Sequence, residues 1–165
     1  MAKMFPDHPN LEGGFAPIHM EVDAPDLVVE GEIPKELRGV FFRNGPNPQF
    51  SPRGDYHWFG GDGMIHGFYF SEGKVSYRNR YVKTVKWKKE KEVGRSLFAA
   101  FNPMDSDESV MGMETDGLAN TNIVYHAGKL LALEEAHAPF ELDPLSLESI
   151  GSHDFGGKFS GPMTA

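Results

Sequence analysis

Cysteine is absent from the 165 residues. Its absence removes disulfides, thiolate-held metals and cysteine nucleophiles from the accessible chemistry. Long apolar runs are missing too. Stretches such as Leu97-Phe98-Ala99-Ala100-Phe101 fall far short of the roughly 20 residues that a membrane-spanning helix needs. Positive charge is scarce: 16 Lys and Arg face 24 Asp and Glu, a formal net charge of −8. Nucleic-acid binding, which relies on a basic face, is therefore not expected. The opening MAKMFPDHPNLEGG has one lysine and no apolar core, so it does not read as a secretory signal. A soluble, cytoplasmic protein is the expectation.

Glycine (19) and proline (12) are abundant, and phenylalanine reaches 13. This composition favours a turn-dense, strand-rich chain over a helical one. The length suits one ordinary domain able to bury a core.

The chain is organised around Leu37 to Phe70 (LRGVFFRNGPNPQFSPRGDYHWFGGDGMIHGFYF). It reads as a strand at Gly39 to Arg43, a turn-rich connection, and a strand at Met64 to Phe70. Between them, Trp58-Phe59-Gly60-Gly61-Asp62-Gly63 combines two large aromatics with a loop that needs glycine backbone. Asp62 is expected to hydrogen-bond the amides of its own loop.

Residues 1 to 17 carry Pro6, Pro9 and Pro17 and read as an extended arm. Val28 to Ile33 looks like a short strand, and Lys35-Glu36-Leu37 like a helical turn. Met64 to Val82 is the clearest hairpin. Val75, Tyr77 and Tyr81 fall on one face at period two, with Asn79 the single polar residue on that face. Glu90 to Phe101 is rich in helix formers and stops at Asn102-Pro103. Met104 to Leu118 is acidic and reads as a solvated loop, with Met111 and Met113 available to cover an apolar surface.

Four short strands follow: Asn122 to His126, Lys129 to Glu135, Pro139 to Leu142 and Leu147 to Phe155. Turns every eight to twelve residues make them an antiparallel meander, the unit of a β-propeller blade or of a sandwich.

None of the seven histidines stands in HExxH or at the i, i+4 spacing of a helical zinc site. His57 and His66 bracket the glycine loop, and Asp62 with His66 is a weak acid/base candidate; locally bonded histidines are the commoner use. Glu134-Glu135 closes an apolar strand. Neighbours on a strand point to opposite faces, so one carboxylate faces inward and requires a partner. No nucleophile elbow, P-loop or dinucleotide fingerprint is present.

Three stretches together resemble the carotenoid cleavage oxygenase family: LRGVFFRNGPNP (37–48), YHWFGGDGMIHGFYF (56–70) and NTNIVYHAGKLLALEEAHAPFELDPLSLESIGSHD (120–154). Gly94-Arg95-Ser96-Leu97-Phe98 looks most like the bacterial lignostilbene-type branch. The resemblance implies an all-β, seven-bladed β-propeller with a non-haem Fe(II) held by four histidines. O2 is its co-substrate, and a conjugated C=C of an apolar polyene or stilbenoid is split into two carbonyl products. In the family the first ligating histidine directly follows the Thr-Ala that here is Thr164-Ala165. Residues 1–165 are thus expected to be the N-terminal fragment of one propeller domain, with about two blades and a short helix, and with all four iron ligands beyond Ala165.

The resemblance assigns Glu135 as the carboxylate that accepts a hydrogen bond from a ligating histidine. Phe59, Phe101 and Glu134 fall where lignostilbene-type enzymes meet the phenolic end of the substrate with a Phe, a Tyr and a Lys. Both polar phenol-recognising groups are replaced here. A carotenoid or apocarotenoid, apolar or alcohol-bearing, is therefore the expected substrate. Stilbenoid cleavage, or a metal-free binding or structural module, is the alternative. The family reaches lipid-dissolved substrates through an apolar patch near the tunnel mouth, a peripheral membrane contact to which Leu97, Phe98 and Phe101 are candidate contributors. Core packing of a Leu/Phe stripe at helical spacing is the other reading. One outcome is testable directly: residues 1–165 alone bind no stoichiometric Fe(II), and an iron titration giving tight one-to-one binding overturns this.

Overall fold

A computed structural model describes residues 5–165. Residues 1–4 of the expected N-terminal arm lie outside the described residues. The rest of the arm is not simply extended, for it contains short 3-10 turns at Pro9–Leu11 and Gly13–Phe15.

The first sheet contains β1 (Asp23–Ala24), β2 (Gly39–Pro46), β3 (Gly63–Ser71) and β4 (Lys74–Tyr81), all antiparallel in the order β1-β4-β3-β2. The β3–β4 hairpin pairs Phe68 with Tyr77 and Phe70 with Val75. Its turn residues Glu72 (φ 52°) and Gly73 (φ 76°) are both left-handed, a geometry that matches the twist of the flanking strands.

The strand expected at Val28 to Ile33 does not form. The edge strand lies earlier, at Asp23–Ala24, because the polar residue on the apolar face of β4 recruits it. Asn79 is 1% exposed; its Oδ1 accepts the Val22 N–H at 2.7 Å and its Nδ2 donates to the Met20 carbonyl at 2.9 Å. Arg78 and Arg80 add ion pairs to Asp23. Asn79 thus interrupts the sequence pattern in order to fasten the N-terminal arm. Lys35-Glu36-Leu37 forms a turn closed by Leu37 N–H on the Pro34 carbonyl at 3.0 Å.

The helix is displaced from its expected position. Helix α1 spans Val85–Val93 rather than residues 90–101. Thr84 caps it by accepting the Trp87 N–H at 3.2 Å, and Gly94 at φ 72° ends it, a left-handed stop that glycine adopts without steric cost. Propensity alone placed the helix too late because the cap and stop decide its frame. Leu97, Phe98 and Phe101 therefore belong to a non-helical segment and form no helical stripe.

The second sheet is the expected meander: β5 (Asn122–His126), β6 (Lys129–Leu133), β7 (Phe140–Leu142) and β8 (Ser149–Ser152), in the order β5-β6-β7-β8. Ala127 (φ 48°) and Gly128 (φ 81°) make the first turn. Strands β6 and β8 are shorter than predicted; the chain leaves the ladder at Leu133, before Glu134.

The sheets pack face to face. Ile65 and Phe42 of the first meet Leu130, Ala132, Phe140 and Leu142 of the second, with Val82 and Leu147 closing the cluster. At the joint, Asn44 Nδ2 donates to the carbonyls of Ala119 and Asn122, both at 2.9 Å. The result is two successive blade-like sheets, mostly strand with one helix. Asn79→Ala removes the partner of the half-buried Val22 N–H and of the Met20 carbonyl and should cost about 1–3 kcal/mol. Urea denaturation measures this, with faster amide exchange expected at Val22.

Candidate active site

The glycine loop, the segment after α1, the acidic stretch and the end of β6 enclose a cleft of about 510 Å³. Phe59, Phe101, Glu134 and Glu135 all line it. Four residues from three distant parts of the sequence thus share one concavity.

Phe59 sits in a short 3-10 turn at Trp58–Gly60, capped by His57 Nδ1 accepting the Phe59 N–H at 3.2 Å. The His57 ring packs edge-on against Phe59 at 5.0 Å and against Phe101 at 5.7 Å. One imidazole therefore sets the spacing of the two aromatic walls. The loop below them is held from several sides. Asn120 Nδ2 donates to the Phe59 and Gly61 carbonyls at 2.7 Å each, and the Gly63 N–H donates to the Leu118 carbonyl at 2.9 Å. A Cβ on Gly63 would collide with the Ala119 carbonyl, so close backbone approach requires glycine there.

Asp62 does not bond its own loop amides. Its Oδ2 accepts the Gln49 N–H at 3.0 Å and its Oδ1 lies 2.8 Å from Lys86 Nζ. Lys86 also reaches Glu90 Oε2 at 2.7 Å. Glu90 Oε1 in turn accepts the N–H groups of Leu97 at 2.8 Å and Phe98 at 3.0 Å. All three side chains are buried. Burial alone would push the Lys86 ammonium down, but the two carboxylates outweigh it and hold it above the usual lysine value of 10.5. This ion trio ties the glycine loop and the segment bearing Phe101 to one side of α1.

Glu134 and Glu135 follow the end of β6 and both line the cleft, but they differ in burial. Glu134 is 8% exposed; its carboxylate accepts the Leu118 N–H at 3.0 Å and is paired with His137 Nδ1. A Cβ on Gly117 (φ +85°) would collide with this pair. Glu135 is exposed on the cleft, and no described residue pairs with its carboxylate.

Other expectations separate. His66 is on the first sheet, its Nδ1 2.7 Å from Tyr77 Oη; burial, and secondarily Arg43, lower its pKa. Asp62 bonds Lys86 and Gln49, so the Asp62–His66 acid/base pair does not form. Met111 and Met113, expected as candidates to cover an apolar surface, do line the cleft, whereas Lys86, Leu118 and His137 escaped sequence reasoning. For His137 the three-residue step from Glu134 was the available signal. Among the described residues, no three His, Asp or Glu side chains cluster to hold a metal ion, and no helix is long and apolar enough to cross a membrane.

Replacing Lys86 with Met leaves two buried carboxylates facing each other and should cost about 3–5 kcal/mol in urea denaturation at pH 8. Because the folded-state pKa is raised, the lysine's contribution is full below the usual value of 10.5 and fades as pH climbs through the folded value. The variant should lose this alkaline decline.

The family described as retinal pigment epithelial membrane protein matches residues 15–165. The chain is 48% identical over 156 residues to lignostilbene-alpha,beta-dioxygenase isozyme III of Sphingomonas paucimobilis, covering 93% of this chain and 32% of that protein. Among solved structures, the lignostilbene dioxygenase of Pseudomonas brassicacearum superposes with a TM-score of 0.87 at 37% identity, over 93% of this chain and 32% of that one. A Synechocystis apocarotenoid oxygenase variant gives 0.78 at 31% identity, over 92% and 33%. The chain thus spans about a third of the length of the relatives it matches. Its two blade-like sheets are those of carotenoid-oxygenase propellers, and it belongs to the retinal pigment epithelial membrane protein family, the carotenoid cleavage oxygenases.

Proposed function

We propose that the protein carrying this chain oxidatively cleaves a conjugated C=C, adding both atoms of O2 to give two carbonyl products. The observation that carries the reading is the convergence of Phe59, Phe101 and Glu135 on one cleft, in a chain whose relatives are named as dioxygenases of carotenoids and lignostilbene.

The work assigned to this chain is binding, orientation and water exclusion. Phe59, Phe98, Phe101, Met111, Met113 and Leu118 give the cleft an apolar wall suited to a flat conjugated hydrocarbon. Burying such a body contributes on the order of 25 cal/mol per Å2 of apolar surface removed from water. Phe59 and Phe101, spaced by the His57 ring, offer faces against which a planar π-system stacks. Water displaced from this wall cannot divert a reactive intermediate.

Fe(II), when bound through histidines outside this chain, would supply the redox chemistry that activates O2. The residue present that fits such a centre is Glu135. Its carboxylate lines the cleft with no partner among the described residues, as needed to accept the N–H of a ligating imidazole and so fix which ring nitrogen meets the metal. No described residue of this chain is assigned as a ligand.

The substrate we favour is a carotenoid or apocarotenoid, because Phe101 provides no hydroxyl for a phenolic end and Glu134 provides no cation. A stilbenoid is the second reading. It gains support from Glu134 being held by Leu118 and His137 rather than standing as an open anion against the substrate. Product analysis on an apocarotenal and on a hydroxystilbene, using the iron-loaded protein from its natural reading frame, tests both. Two carbonyl products from either support alkene cleavage, and none from any conjugated alkene overturns it. Glu135→Gln should lower kcat/KM by about 10- to 100-fold, the usual loss when a metal ligand's partner is changed.

A further inference from the structure

We propose that His137 is a specificity residue: its Nε2 accepts a hydrogen bond from a hydroxyl at one end of the bound ligand. The proposal deepens the reading above, on which it rests for the conjugated body of the ligand.

Four ionisable side chains stand on the cleft wall: Lys86, Glu134, Glu135 and His137. Lys86 is fully engaged by Asp62 and Glu90, and Glu134 by Leu118 and His137. Glu135 is reserved in the proposed function for a ligating histidine. That leaves the far side of the His137 ring, whose Nε2 meets no described residue.

The chemistry of that nitrogen is set by its neighbour. A carboxylate only accepts, so the contact between Glu134 and Nδ1 requires the proton on Nδ1. The neutral ring then presents Nε2 as an acceptor. The Leu118 N–H fixes the carboxylate at 3.0 Å, and the Met163 N–H anchors the His137 backbone through its carbonyl at 3.1 Å. Gly117 leaves the pair the space it needs, since any side chain there would displace it. The acceptor is therefore placed in advance of binding, which lowers the ordering cost of using it. In an apolar cleft such a group selects ligands that donate, because a ligand without an O–H strips it of water and returns nothing. The favoured class is a conjugated alkene ending in an alcohol or a phenol, rather than an ether or a bare hydrocarbon.

Three fluorescent probes decide it without requiring turnover: trans-4-hydroxystilbene, trans-4-methoxystilbene and trans-stilbene. They are titrated at pH 8 into the protein from its natural reading frame, and into its His137→Phe and His137→Gln variants. The wild type should bind the hydroxy probe about ten-fold more tightly than either of the others. His137→Phe should bring the three affinities together by weakening the hydroxy probe alone, while His137→Gln, which keeps a carbonyl acceptor, should restore part of the preference. A wild type that treats hydroxy and methoxy probes alike overturns the proposal, as does a preference that survives His137→Phe or saturable binding of none of the probes. Retained preference with no carbonyl product from any alkene would overturn the cleavage reading while leaving the role of His137 standing.

Discussion

One buried ammonium governs the geometry of the candidate site. Lys86 Nζ lies 2.8 Å from Asp62 and 2.7 Å from Glu90, and each carboxylate spends its remaining oxygen on backbone N–H groups from a different segment. The group brings two negative charges and one positive one out of water, which is costly in isolation. Backbone amides offset the excess by hydrogen-bonding the charged forms. The arrangement makes the glycine loop, α1 and the segment beginning at Leu97 interdependent. Phe59 lies three residues before Asp62, and Phe101 three residues after Phe98, so the aromatic walls inherit their positions from it.

Much of the architecture was legible because it depends on local rules. The period-two pattern around β3 and β4 and the turn spacing after Asn122 placed both sheets. Of Glu134 and Glu135 one is buried, as expected, but both lie past the end of β6, so strand alternation is not the cause. Failures occurred where a single polar residue overrode a trend. Thr84 and Gly94 moved the helix off the segment with the strongest apparent propensity. Asn79 drew the chain at Met20 to Val22 onto the sheet and so relocated the edge strand.

The site divided in the same way. Phe59, Phe101, Glu134 and Glu135 were reached through resemblance, and the fold brings all four to one cleft. The Lys86 trio was not readable, because its members are spread over 62–90 and each alone resembles a surface charge. The tie between Glu134 and His137 was equally hidden. A three-residue step has no fixed geometry once the strand has ended at Leu133. The consequence is chemical: a carboxylate that looked hostile to a hydroxylated ligand orients an imidazole instead.

Native-state hydrogen exchange at Gln49, Leu97 and Phe98 tests the central claim most directly, since their amides are those bound by the Asp62–Lys86–Glu90 group. The account predicts that all three are strongly protected and open together, with a common free energy well above that of exposed loop amides. Exchange of the three at unrelated rates, or as fast as exposed loop amides, would contradict it.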